Sequence, residues 1–247
     1  MDYQLAGRDE PTSEAAPGVP GSLQPYRSAA IRSWIAIGTL CLIALVDLIE
    51  VVHASRFGGL VDDFVAGRAT RSNLVAYDDY SRSVAWIFLG ALVLCAITFL
   101  AWLSRVVANA PAIGAGLPPR SPRGAILWWF APFASFVVPY QIVADLNRRL
   151  ATAVDHGGGR ALILAWWLTW NLGNLSAYLP RVLQLGDTVD DIKLGVTMAL
   201  VTEAVNLVAA MLAIAVIFRI QGREDARALF NSPGDGSTVT VQPGPVV

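Results

Sequence analysis

Apolar residues gather in long, nearly unbroken runs, not in the short periodic patterns of a soluble core. Four of these runs, 31–54, 84–104, 161–180 and 195–218, are dominated by Ala, Val, Ile and Leu. A helix of about 20 apolar residues crosses the roughly 30 Å of bilayer hydrocarbon, so each run is read as a spanning helix. Trp34 stands near the start of the first run, and Trp86 and Trp102 bracket the second, at positions where aromatic rings anchor at membrane interfaces. A further run, 124–143, is uncharged and equally apolar, but Pro132 and Pro139 interrupt it. Proline deletes a helical hydrogen bond and clashes with the preceding turn. The run is therefore read as re-entrant or interfacial, with a kinked fifth span as the alternative. In 144–154, Leu146 and Leu150 lie four apart with Asp145, Asn147, Arg148 and Arg149 between them, the pattern of a short amphipathic helix at an interface.

The connecting segments are polar. Residues 55–83 hold four Arg and four Asp and are read as a polar connection. Residues 105–123 are basic and proline-rich, and Asp187, Asp190 and Asp191 mark an acidic turn before the last run. The segment 1–30 lacks apolar periodicity and is expected to be a disordered tail, as is most of 222–247. The first run starts some 30 residues in, too late for a signal peptide, and is expected to be a retained anchor. Gly157, Gly158 and Gly159 are read as a flexible joint. The membrane domain is thus expected over 31–221.

Composition supports the same class. Of 247 residues, 55% are hydrophobic and 15% charged, against about 25% charged in soluble domains. The net charge of −1 offers nothing global to nucleic acid. Charge distribution selects between the two topologies. With four crossings, 12 of the 18 cations fall on one face and six on the other; with five crossings the division is eight and 10. Cationic loops stay cytoplasmic. The expectation is an all-α polytopic helix bundle of four spans plus the proline-broken segment, with both termini cytoplasmic.

The middle of the chain carries a series of short motifs: Trp102-Leu103-x-Arg105, Asn109-Ala110, Trp128-Trp129-Phe130-x-Pro132 and Pro139-Tyr140-Gln141. Their order and spacing resemble the signature of the domain of unknown function 4328 family, and Arg219-Ile220-Gln221 resembles the family's ending after its last span. The likeness covers roughly 84–221. Val138 departs from it, since that position is often Arg in the family. The resemblance implies a bacterial multi-span protein of the plasma membrane and supplies no activity, catalytic residue or cofactor.

The polar residues are weighed one group at a time. Arg105, Asn109, Arg120 and Arg123 are read as contacts for anionic lipid headgroups, worth about 1 kcal/mol per cation. The alternative is that Arg105 and Asn109 bond the backbone freed by Pro132 and Pro139. Trp128, Trp129 and Phe130 form an interfacial belt or, alternatively, an aromatic ligand pocket. Asp47, Glu50 and His53 recur every three residues on one helix face, and Asn171, Asn174, Arg181, Glu203 and Asn206 are expected to join them inside the bundle. This cluster is either a structural network, with Arg181 pairing Glu203 or Glu50, or a proton or cation site. A metal at Glu50 and His53 would have too few ligands, and Cys41 and Cys95 are read as small buried hydrophobes. No nucleophile elbow, zinc helix or phosphate loop occurs, so no enzyme, cofactor or metal is expected. The expected role is a membrane scaffold or regulatory subunit with a lipid- or protein-binding basic face. A small transporter or channel using the carboxylate cluster is the rival.

Overall fold

The computed structural model describes residues 25–152, 158–183 and 188–231, with the side chain of Arg181 excepted. The expectations for 1–24, for Gly157 and Asp187, for the pairing of Arg181 and for 232–247 lie outside these residues. Among the described residues there are seven α-helices, in order α1 Ala30–Val65, α2 Arg71–Asn109, α3 Pro122–Leu127, α4 Val138–Arg149, α5 Arg160–Ser176, α6 Leu179–Val182 and α7 Val189–Asn231. No strand occurs among the described residues.

α1, α2 and α7 are long and apolar enough to cross a membrane. α5 corresponds to the run 161–180. It has 17 residues, about 26 Å at helical rise, and breaks at Ala177 before α6. Its Leu164, Leu168, Leu172 and Leu175 are all exposed. They recur every three or four residues and so form one outward apolar stripe. The outer faces of α1 and α2 are equally apolar: Leu45, Leu48 and Val52, and Ile87, Val93 and Ile97, are exposed. A continuous exposed apolar surface suits lipid and not water.

The inner faces follow helical spacing. Ala36, Leu40, Ile43 and Asp47 of α1 are buried, as are Ala91, Cys95, Phe99 and Trp102 of α2 and Ala209, Ala213, Val216 and Ile220 of α7. α1 packs on α7 and α2, and α5 packs on α7. Small residues let these backbones approach. At Gly173 of α5 an added Cβ would lie 2.1 Å from Asn206 Oδ1 of α7.

Three features differ from the sequence expectation. The polar stretch 55–83 is largely helix: α1 runs on to Val65 and α2 begins at Arg71. With 36 and 39 residues, these helices reach about 54 and 58 Å, well beyond the hydrocarbon. Thr70 caps α2 in a reciprocal box with Asn73, whose Oδ1 accepts from Thr70 N at 2.9 Å. Second, α7 continues past the apolar stretch, so 222–231 is helix where a mostly disordered tail was expected. Third, the amphipathic helix is α4, which starts at Val138 and ends at Arg149 instead of occupying 144–154. It buries Ile142, Val143 and Leu146.

The run 124–143 forms no helix of crossing length. α3 has six residues and α4 has 12, about 9 and 18 Å. A 3₁₀ turn at Ala134–Phe136 separates them. The segment enters beside Arg105 at the end of α2 and leaves beside Arg219 and Arg223. Both its ends therefore lie at one end of the bundle, with the start of α1, the end of α2, the start of α5 and the end of α7. Between them Trp129 reaches Phe99, at 5.4 Å between ring centroids. Trp167 Nε1 donates to the free carbonyl of Phe136 at 3.0 Å.

Candidate functional site

The end of the bundle that gathers these termini is built on arginines. Arg219, Arg223 and Arg227 are four residues apart, so they share one face of α7. Arg219 Nε donates to Asn147 Oδ1 at 3.1 Å, and its guanidinium also meets the carbonyl of Gly158. Arg223 is buried and donates to Asn147 Oδ1 at 2.6 Å, to the Asn147 carbonyl and to Gly158 O at 3.1 Å. Arg227 reaches four carbonyls, those of Ile113, Gly114, Arg149 and Ala151, at 2.9–3.2 Å. The carbonyls of Asn147 and Arg149 close the negative end of α4, where cations are favoured. These three arginines thus bond the chain itself. The sequence places Arg219 at the end of the membrane domain and Arg223 and Arg227 in a mostly disordered tail, whereas all three lie on helix α7. The four-residue spacing was the available signal, while the receiving carbonyls lie far away in sequence.

The family-motif residues complete this end. Trp102 and Leu103 are fully buried, and Trp102 Nε1 donates to Gln221 Oε1 at 3.1 Å. Asn109 Nδ2 donates to Arg27 O at 2.7 Å and to Glu224 Oε1 at 2.5 Å. Asn109 is buried, so it meets neither a lipid headgroup, the expectation from the sequence, nor the backbone near Pro132 and Pro139, the alternative: helix α7 delivers a buried carboxyl to it instead. Glu224 lies beyond the apolar stretch of α7. Burial pushes its carboxyl up to about 7, although the Asn109 bond favours the ionised form. Ala110 and Pro139 are buried, Tyr140 is half-buried and Gln141 exposed. Val138, at the position often Arg in the family, is buried.

The aromatic triplet is divided and does not act as one belt. Trp128 lies under Arg120, whose guanidinium carbon is 4.9 Å from the ring centroid. Trp129 is wedged between Phe99, Trp166 and Trp167. Phe130 is 72% exposed.

A surface groove opens between α1, α2 and α3. It holds about 560 Å³ and is lined by Arg32, Ser104, Arg105, Ser121 and Arg123. Arg32 Nη1 is steadied by the Ala101 carbonyl at 3.1 Å. Arg148 and Arg149 are spoken for by Asp145, the latter at 2.5 Å.

Inside the bundle the expected polar cluster separates. Asp47 is fully buried, and its polar neighbours are the carboxyl groups of Glu203 and Glu50. Asn206 adjoins Glu203. Asn171 and Asn174 donate to carbonyls of their own helix, Trp167 O and Trp170 O, each at 2.7 Å. His53 leaves the group: it stacks on Tyr77 at 3.9 Å and contacts Tyr80 at 4.3 Å. Among the described residues no ion pair involves Asp47, Glu50 or Glu203, and no group of three ligands could hold a metal. Asp47, Asn174 and Asn206 line a cavity of about 280 Å³ to which α1, α2, α5, α7 and the proline-broken segment all contribute.

No curated protein and no solved structure matches the chain. A family model does match, over residues 66–222, and its description is "Domain of unknown function (DUF4328)". That span takes in α2 to α7 up to Gly222, with the motifs that close the arginine end. The chain therefore belongs to the DUF4328 family.

Proposed function

We propose that this chain is a non-enzymatic integral membrane protein, a scaffold or regulatory subunit whose arginine end holds anionic lipid headgroups. The observation that carries this reading is the groove where Arg32, Arg105 and Arg123 converge with Ser104 and Ser121. Each cation near an anionic surface is worth about 1 kcal/mol. Guanidinium donors and the Ser121 hydroxyl together match the oxygens of a phosphate, while Ser104 Oγ already donates to Ala101 O at 3.2 Å. The ladder of Arg219, Arg223 and Arg227 is already bonded to the Asn147 side-chain oxygen and to backbone carbonyls. It supports the rigidity of this face, while the groove supplies its free donors.

The test is lipid retention. The protein is purified from nanodiscs of mixed phosphatidylglycerol and phosphatidylcholine, and bound lipid is counted by native mass spectrometry. Replacing Arg32, Arg105 and Arg123 by Gln should abolish the preference for phosphatidylglycerol. Arg148→Gln, whose partner is Asp145, should leave it intact. Unchanged preference in the triple variant overturns the reading.

A second reading, a small transporter or channel, draws on the meeting of Asp47, Glu50 and Glu203 in the bundle. It requires that Glu203→Gln abolish solute flux in proteoliposomes without loss of folded protein.

A further inference from the structure

The cavity inside the bundle is polarised along its length. Its lining runs from Leu40 to Asp47 on α1 and from Ala213 to Asn206 on α7. On α5 it runs from Trp166 to Asn174 and Ala177. In each helix the polar residue lies toward the end away from the arginines. The near end is aromatic, with Phe99, Trp129 and Trp166. The cavity is therefore an apolar slot with a carboxylate at one end.

Both ends hold unused hydrogen-bonding groups. Asp47 is 0% exposed, and among the described residues no amide, hydroxyl or cationic donor bonds its carboxylate, which faces the Glu203 carboxyl. Its neighbours Glu203 and Glu50 are acids as well. At the aromatic end Trp129 Nε1 is also buried without an acceptor. Polar groups left this way at membrane depth cost several kcal/mol each. The cavity opens at the surface of the bundle: the lining residues Phe130, Asn174 and Ala177 are exposed.

We propose that this cavity binds a lipophilic amine, whose ammonium head Asp47 receives and whose apolar body lies against Phe99, Trp129 and Trp166. An ammonium brings a positive charge to three neighbouring carboxyl groups that form no ion pair among the described residues, and its N–H groups satisfy the Asp47 oxygens. Asn174 and Asn206 offer further oxygens beside that head. The aromatic walls suit the body and add cation–π attraction where they approach the charge. The ligand enters from the bilayer through this opening, between Phe130 and the end of α5. The site stands whether or not the arginine end holds lipid.

The experiment uses the full chain in nanodiscs and three photoreactive probes. Each carries the same diazirine-bearing octyl chain and ends in an amine, an alcohol or a carboxylate. Labelled positions are mapped by peptide mass spectrometry. The amine should label the α2 and α5 segments that line the cavity, and unlabelled octylamine should compete. Asp47→Asn should cut that labelling about tenfold or more, the worth of one charge-assisted hydrogen bond. Size exclusion checks that this variant is folded. Ala210→Phe keeps Asp47 and fills the slot, so it should abolish the amine label and serves if Asp47→Asn fails to fold. Equal labelling by all three probes identifies space for acyl chains only and overturns the proposal. Amine labelling that persists in Asp47→Asn, or in Ala210→Phe, overturns it too.

Discussion

Asn109 and Glu224 illustrate how one side chain can close an end of the bundle. Asn109 Nδ2 bridges Arg27 O and Glu224 Oε1, and Glu224 Oε2 is buried with no partner. Asn109→Ala strands both acceptors and should destabilise the fold by about 1–3 kcal/mol. The Glu224 carboxyl titrates near 4.5 when unfolded and is pushed up to about 7 when folded, first by burial, then by Asp225, against the Asn109 bond and Arg105. Between these values the folded chain holds a proton that the unfolded chain has released. Its contribution to stability is therefore complete below pH 4.5 and is lost as pH rises through about 7. Glu224→Gln cannot lose that proton. Its melting temperature relative to the natural chain should rise progressively from pH 5 to pH 8, read by thermal unfolding in nanodiscs. A constant difference across that range would show that Glu224 is ionised throughout.

Helix ends carry more information here than helix middles. Gly159, just before α5, has φ +103, and an added Cβ would meet Arg219 Nε at 2.0 Å. Gly159→Ala strains the backbone by about 1–3 kcal/mol and dislodges the Arg219 guanidinium from Gly158 O. Gly38 lies within α1 with nothing near its missing Cβ. Gly38→Ala should stabilise by about 0.5–1 kcal/mol. The two substitutions should move the melting temperature in opposite directions, and a common direction would mean that the arginine contact does not hold α5. The glycine run read as a loose joint is, at Gly158 and Gly159, a fixed acceptor and a fixed turn. The apolar runs made the helices legible, because hydrocarbon thickness sets their length. Their polar extensions were not legible, since hydropathy falls silent where the helix leaves the bilayer. Thr70 and Asn73 with Gly67 did mark the true turn, in a stretch dominated by charge. Asp47, Glu203 and Asn206 could be placed at one depth from the apolar runs alone. The stacking of His53 on Tyr77 could not, because it depends on the register of α1 against α2.

Taken as a whole, the molecule has two unlike ends joined by an apolar belt. Trp34 and Phe218 meet edge-on at 5.5 Å on the arginine side, at the level where aromatic rings favour an interface. On the far side Lys193 of α7 pairs with Asp62 of α1 at 2.7 Å. α1 leaves the arginine end and α2 returns to it. The segment 122–149 dips in and comes back out, then α5 leaves and α7 returns. Placed in a bilayer with cations held to the cytoplasm, this path makes definite demands on accessibility. With Cys41 and Cys95 replaced by Ala, single cysteines at Gly67, Thr152, Leu183 and Leu229 report the four critical points. In cells treated with an impermeant maleimide, Gly67 and Leu183 should react from outside. Thr152 and Leu229 should react only after the membrane is opened. Leu183 tests α5, whose 17 residues are fewer than those of the other long helices. If Leu183 is protected with Thr152, α5 does not cross, and the polar end of the cavity faces no second aqueous surface. If Thr152 reacts from outside with Gly67, the proline-broken segment crosses after all. Then Asn147 and the carbonyls that Arg223 and Arg227 hold could not share a side with Asn109. The arginine ladder would have to come apart in the membrane, and the melting temperature of Arg223→Gln would match that of the natural chain. A drop of several degrees, as expected for stranding buried carbonyls, would tie the ladder and the four-crossing path together.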